Sequence, residues 1–193
     1  QTDSDVNLLL GGVLQALSGR KLDSVPAAWE SQLTNWLARP DASPRMIELA
    51  LRTNYAGAAE LALRLVNNPM ASVEVRVALI KTLGETHCLS AVDGLLTLVG
   101  SMESDPIVTA AIAALGYFNE DRIADVLLGT YPKLTAGSRA RAVELLCSRR
   151  TWALKLIESV DAAVVKPEAI SHDQVRLLRE LNDERLTKLI AKH

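Results

Sequence analysis

The chain is predicted to be all-α: an α-α superhelix, or solenoid, of about six helical hairpins. Three observations predict it. Apolar residues recur at helical spacing in paired segments. Within residues 72–100, Val75, Ala78, Leu79, Thr82 and Leu83 make one stripe and Val92, Leu95, Leu96 and Val99 another, with a polar break at 84–87 between them. Both stripes are too wide for one partner helix to cover, so the hairpin needs similar hairpins beside it. A leucine closing each first helix also recurs: Leu51, Leu83, Leu115 and Leu146 are spaced 32, 32 and 31 residues apart, with Leu17 34 before and Leu181 35 after. Finally, the 193 residues are 49% hydrophobic but only 4% aromatic, so the interior is Leu, Ala, Val and Ile, which suits closely packed helices.

The elements follow in order. Asp3 or Ser4 caps a first helix with Val6, Leu9, Leu10, Val13, Leu14 and Leu17 on its apolar side, and Gly19 stops it. Pro26 opens a second helix carrying Trp29, Leu33, Trp36 and Leu37, ended at Arg39-Pro40. Ser43-Pro44 starts the next, and 56–66 is its partner, closed by Asn67-Asn68-Pro69. The hairpin at 72–100 follows. Asp105-Pro106 opens a helix over 107–115, with Gly116 as breaker; Asn119 caps another whose apolar side is Ile123, Val126 and Leu127. Segments 136–147 and 151–160 form the fifth pair, and 164–170 is an irregular connection. Ser171-His172-Asp173-Gln174 reads as a capping box before Val175, Leu178 and Leu181, and Asn182-Asp183-Glu184 caps a last helix over 185–192. Gly84 and Gly116 are expected to take the left-handed helix end, and Gly11-Gly12 to allow close helix packing.

Net charge is −2, from 21 basic and 23 acidic residues, which does not describe a general polyanion binder. No apolar run approaches the roughly 20 residues of a membrane span, and residues 8–10 are too short for a signal core. Gln1 is an unusual natural start, so the expectation is one solenoid domain over 1–193, cut from a larger protein.

The pattern Val75-Arg76-x-Ala78-x-x-x-x-Leu83-Gly84, a short turn, then Val92-x-x-Leu95-Leu96 resembles HEAT repeats of the short, bilin-lyase-like type, an armadillo-like fold; Ile107-x-x-Ala110-x-x-Ala113-x-Leu115-Gly116 repeats it. The resemblance covers most of the chain and specifies the fold better than the function. A narrower one involves Ala16-Leu17-Ser18-Gly19-Arg20 before Val25-Pro26-x-x-Trp29, and Asn182-Asp183-Glu184-Arg185-Leu186 before Ile190-x-Lys192-His193. These resemble the two ends of the HEAT segment in planctomycete-type multidomain, membrane-bound dehydrogenase and haem-binding proteins. There a dehydrogenase domain commonly precedes the segment and a cytochrome c domain follows it. The resemblance implies a periplasmic or membrane-associated setting and a part in electron transfer. It implies no cofactor in this segment, because Cys88 and Cys147 lie 59 apart and no Cys-x-x-Cys-His occurs.

Other chemistry-bearing residues have plain readings. His87-Cys88 sits in a turn without partners at metal-ligand spacing. Cys88 and Cys147 fall two hairpins apart, roughly 20 Å at about 10 Å per helical layer, so two free thiols are expected. Trp29 and Trp36, seven apart on one helix side, are expected to cap the first hairpin. His172 belongs to its helix cap, and Glu120/Asp121 and Asp183/Glu184 are first-turn carboxylates. Trp152 with Arg139, Arg141, Arg149, Arg150 and Lys155 forms the densest basic stretch. This motivates the alternative of a HEAT-like nucleic-acid-binding or DNA-repair protein, although Glu144, Glu158 and Asp161 dilute the patch. A HEAT-type lyase or hydroxylase would need a clustered acid or His site. The preferred expectation is a non-enzymatic scaffold with protein partners, no catalytic and no metal residues. First helices would lie on the convex side and second helices on the concave side. Partner contacts are expected at Glu60, Arg64, Asp93, Thr97, Asp125 and Lys155 on second helices.

Overall fold

The computed structural model describes residues 3–39, 42–101 and 103–191, with side chains from Leu9 onward. The expected cap at Asp3 or Ser4, the place of Val6 in the first stripe, the stop at Pro40 and the terminal Lys192-His193 lie outside the described residues.

Twelve α-helices occur among the described residues and no strand does. They are α1 (Asp3–Ala16), α2 (Ala27–Leu37), α3 (Pro44–Arg52), α4 (Ala58–Val66), α5 (Val73–Glu85), α6 (Val92–Val99), α7 (Asp105–Leu115), α8 (Asp121–Thr130), α9 (Ala136–Leu146), α10 (Arg150–Asp161), α11 (His172–Glu180) and α12 (Glu184–Ile190). Taken in pairs these are the six expected hairpins. The connection expected to be irregular contains one 3₁₀ turn, Pro167–Ala169.

The chain divides into two compact units, Gln1–Gly94 and Leu95–His193, with the division inside α6. In the first unit α3 packs on α1, α4 and α5, and α4 on α5. In the second, α7 packs on α9, and α10 on α8 and α12. Like helices of successive hairpins therefore stack on one another, as a helical repeat requires. The first unit buries Leu33, Leu79, Ile80 and Leu83, the second Ile107, Ile112, Ile123, Leu127 and Trp152. In α5 the buried side is rotated from the expected stripe: Ala78 is exposed, while Arg76 and Ile80 are buried. A stripe flanked by neighbours on both sides buries more of the circumference than a single seam, so Ile80 is covered as well.

Helix starts follow local side-chain chemistry. Ser43, Ser72, Thr135 and Ser171 each accept the N–H three residues ahead, and Asp183 accepts from Leu186 N at 2.9 Å. Gln174 returns the bond to Ser171 N at 2.8 Å, completing the capping box. Asn119 is not a cap; α8 begins one residue later, on an extended Glu120 without a side-chain cap bond.

Gly19 follows the end of α1 with left-handed φ 66°, as expected of a stop, but the ends of α5 and α7 depart from expectation. Gly84 lies inside α5, and Gly116 has right-handed φ −62°, with α7 leaving through successive i→i−3 bonds. The left-handed position after α5 is His87, φ 50°, and after α3 it is Asn54, φ 55°. Both ends are Schellman turns: Cys88 N reaches Leu83 O and His87 N reaches Gly84 O, as Tyr55 N reaches Ala50 O and Asn54 N reaches Leu51 O. A buried threonine precedes each, with Thr53 Oγ1 donating to Leu49 O and Thr86 Oγ1 to Thr82 O. The matching threonines are 33 apart, so these turns set a register one residue longer than the leucine spacing. Gly11 and Gly12 are not packing contacts either, because a Cβ at either position would meet nothing within 4 Å.

Ala163 ends α10 in the same left-handed state, φ 58°, which costs an L-residue with no polar side chain about 1–2 kcal/mol. Ala163→Gly is expected to stabilise the second unit by about 1 kcal/mol, raising its melting temperature by a few degrees in a circular-dichroism melt. A lowered midpoint would contradict this assignment.

Candidate functional site

The six residues selected as partner contacts all fall on second helices. In the first unit Glu60 and Arg64 are exposed on α4, one helical turn apart, with no ion-pair partner among the described residues; Asp93 is exposed at the start of α6. Gly94 lets α6 approach α4 closely: a Cβ there would lie 2.7 Å from Leu63 Cδ2.

In the second unit Thr97 is exposed on α6, while Asp125 and Lys155 face each other, Lys155 Nζ lying 2.6 Å from Asp125 Oδ1. This pair is one rung of a ladder joining second helices. Thr151 Oγ1 donates to Asp121 Oδ1 at 2.9 Å, and Arg185 pairs with Glu158. Asp125 and Lys155 are thus tied to each other across successive hairpins.

Arginines do further joining that the sequence did not disclose. Each places a cationic donor on carbonyls at a helix C-terminal end, where the helix dipole favours positive charge. Buried Arg76 donates from Nε to Val66 O, at the end of α4, at 2.5 Å. Arg139 donates to Tyr131 O and Pro132 O just beyond α8 and covers the Tyr131 ring. Arg149 donates to Gly116 O at 2.8 Å, beyond α7, with its guanidinium 4.2 Å from the Trp152 ring centre. Burial lowers the Arg149 pKa, and the carbonyl and ring offset that cost. Arg141 pairs with Glu144 and Arg150 with Asp183. The densest basic stretch is therefore engaged by protein groups, and Trp152 is fully buried, with no face free for a ligand.

Asp105, at the start of α7, accepts from Thr135 Oγ1 and, at 2.6 Å, from Ser138 Oγ at the start of α9; Ser138 in turn contacts Thr109 Oγ1 at 3.1 Å. Gly137 leaves room for that carboxylate, since a Cβ there would lie 2.9 Å from it. The Ser138 and Thr135 bonds hold Asp105 below the usual carboxylate range. Asp183 is lowered chiefly by the Leu186 N–H, then by Arg150, against desolvation. Because both folded pKa values are depressed, their stabilisation is complete above the unfolded value of about 4 and is lost as pH falls through the folded values. Asp105→Asn and Asp183→Asn are expected to flatten the fall of melting temperature between about pH 4 and pH 2. Unchanged acid slopes in both variants would refute the assignment. Asparagine still caps α12, which isolates the charge.

Cys88 is half-buried and Cys147 buried; both are free thiols, and burial pushes Cys147 up to about 11. His87 is accounted for by its left-handed turn. No group of three or more His, Cys, Asp or Glu positioned for a metal occurs among the described residues, and no described helix is long and apolar enough to cross a membrane. Trp29 and Trp36 line an apolar cleft between α1, α2 and α3. Comparison with protein-family models, with curated proteins and with solved structures gave no match.

Proposed function

We propose that this chain is a non-enzymatic HEAT-type scaffold, holding a dehydrogenase module and a cytochrome c module of a multidomain redox protein in fixed relation. The observation that carries this reading is the use made of polar side chains. In the second unit hydroxyls, carboxylates and arginines join one hairpin to the next about one repeat apart, at 33 residues for Ser138–Asp105 and Arg150–Asp183 and 30 for Lys155–Asp125. Such cross-links stiffen an array, and a stiff surface loses little entropy when it binds. Of the six candidate contacts, Glu60 and Arg64 on α4 are the two exposed charged residues with no ion pair among the described residues, and they are the charges offered to a partner in this reading. The two modules come from the resemblance in the motifs at 16–29 and 182–193. Binding of nucleic acid is the less favoured reading because its basic residues are already committed.

The test has two parts. The reading frame around this segment should encode a dehydrogenase domain before it and a Cys-x-x-Cys-His domain after it; finding neither removes the redox context. Calorimetric titration of the chain with each module should give saturable binding, weakened at least about tenfold by the double reversal Glu60→Lys/Arg64→Glu, roughly the 1.4 kcal/mol of one decade. Unchanged affinity would move the docking surface elsewhere. Absence of a mobility shift with short duplex DNA at low salt is also expected, and a salt-dependent shift would restore the nucleic-acid reading.

A further inference from the structure

The first unit holds a cleft of about 480 Å³ between α1, α2 and α3. Its floor is closed: Leu10, Leu33 and Leu49 are all buried. Its rim is open, with Leu9 63% and Trp29 37% exposed. Trp36 lies seven residues after Trp29, two turns along the same side of α2, so both indoles face the cleft. Among the described lining residues none is charged, and the one side-chain amide is Gln32.

We propose that this cleft binds a neutral, apolar small molecule the size of an acyl chain or a few fused rings, its single polar group lying at the Gln32 amide. The volume falls in the range of roughly 300–1,000 Å³ typical of small-molecule sites, which are likewise mostly apolar with few polar groups. A charged ligand would leave water for a lining with no opposite charge to meet it. A protein face is a poorer fit. A stable interface buries about 800 Å² on each partner, whereas among the described residues the large apolar side chains exposed around this concavity are Leu9 and Trp29.

The 193-residue chain is titrated with the neutral fluorophore N-phenyl-1-naphthylamine, exciting tryptophan and following energy transfer. Saturable one-to-one binding is expected, with displacement by 1-dodecanol at least about tenfold more effective than by dodecanoate at pH 8. Ala28 lines the cleft from α2 and is exposed, so Ala28→Trp fills the space from its wall. This variant should bind at least about tenfold more weakly with an unchanged circular-dichroism spectrum. Leu177→Ala, at an exposed leucine on α11, should bind as the parent does. Non-saturable uptake, equal binding by Ala28→Trp, or preference for dodecanoate would overturn the proposal. So would sedimentation showing a dimer that Ala28→Trp dissociates, which would make a second copy the occupant.

Discussion

Replacing Arg52 with methionine is expected to destabilise the first unit by about 3–5 kcal/mol, the cost typical of removing one partner from a buried charge cluster. The Arg52 side chain is 5% exposed and makes bonds in three directions. Nη1 donates to Leu17 O at 3.0 Å, beyond the end of α1; Nε reaches Glu48 at 3.2 Å within α3; Nη2 reaches Glu85 at 2.8 Å on α5. One guanidinium thus ties together three consecutive hairpins. Without it, Glu85, 9% exposed, keeps among the described residues the ion pair with Lys81 at 3.6 Å, a side chain 70% in solvent. Methionine recovers some apolar burial, but the carboxylate left behind dominates. A midpoint lowered by roughly 10 °C is therefore expected, read from tryptophan fluorescence in a Trp152→Phe background, where Trp29 and Trp36 report the first unit. Arg52→Lys should fall between, since an ammonium cannot serve all three directions from a planar fork. Adding Glu85→Met to Arg52→Met should return part of the loss, as the two sites share one bond. A loss below about 1 kcal/mol in Arg52→Met would mean that the cluster is solvated and that the hairpins rest on apolar packing alone.

Arg52 also shows where reading the sequence stops. Features carried within one turn of helix were legible: Ser43, Ser171 and Asp183 act as caps because acceptor and N–H are three residues apart. The hairpin count was legible because burial on both sides leaves apolar stripes. Arg52 and Arg76 were not, because a lone arginine in a helix reads as surface until a carbonyl or carboxylate from another hairpin is placed beside it. Helix ends misled for a related reason. Glycine is the usual left-handed residue and fills that role at Gly19 and Gly57, but other turns put Asn54, His87, Ala163 and Asn182 there, and the marker that recurs is the threonine at 53 and 86. The six candidate contacts were read onto second helices, where they lie, yet the Asp125–Lys155 bond needed the 30-residue offset between α8 and α10, shorter than the leucine spacing suggested. The cleft beside Trp29 and Trp36 was hidden because seven-residue spacing fixes a shared side and not what that side meets.

Trp152→Ala should cost about 3–5 kcal/mol in the second unit, the range for removing a fully buried large aromatic ring. Trp152 has no exposed surface, and its ring supports the Arg149 guanidinium that holds Gly116 O beyond α7. Its removal therefore opens a void and loosens a joint between hairpins together. The loss should exceed the sum expected from volume alone and shrink when measured in an Arg149→Met background. Trp152→Phe separates packing from hydrogen bonding. The indole Nε1 is buried without a hydrogen-bond partner among the described residues, so deleting it removes a desolvated donor worth about 1–3 kcal/mol. That gain offsets most of the smaller ring's lost contacts, and a net loss under about 1.5 kcal/mol is expected from the two opposing terms. Chemical denaturation of the three proteins decides it. If phenylalanine costs as much as alanine, the indole N–H is bonded and the ring is not the joint. If alanine costs little, the ring is reachable by water, and Trp152 returns as a surface on which a base could stack.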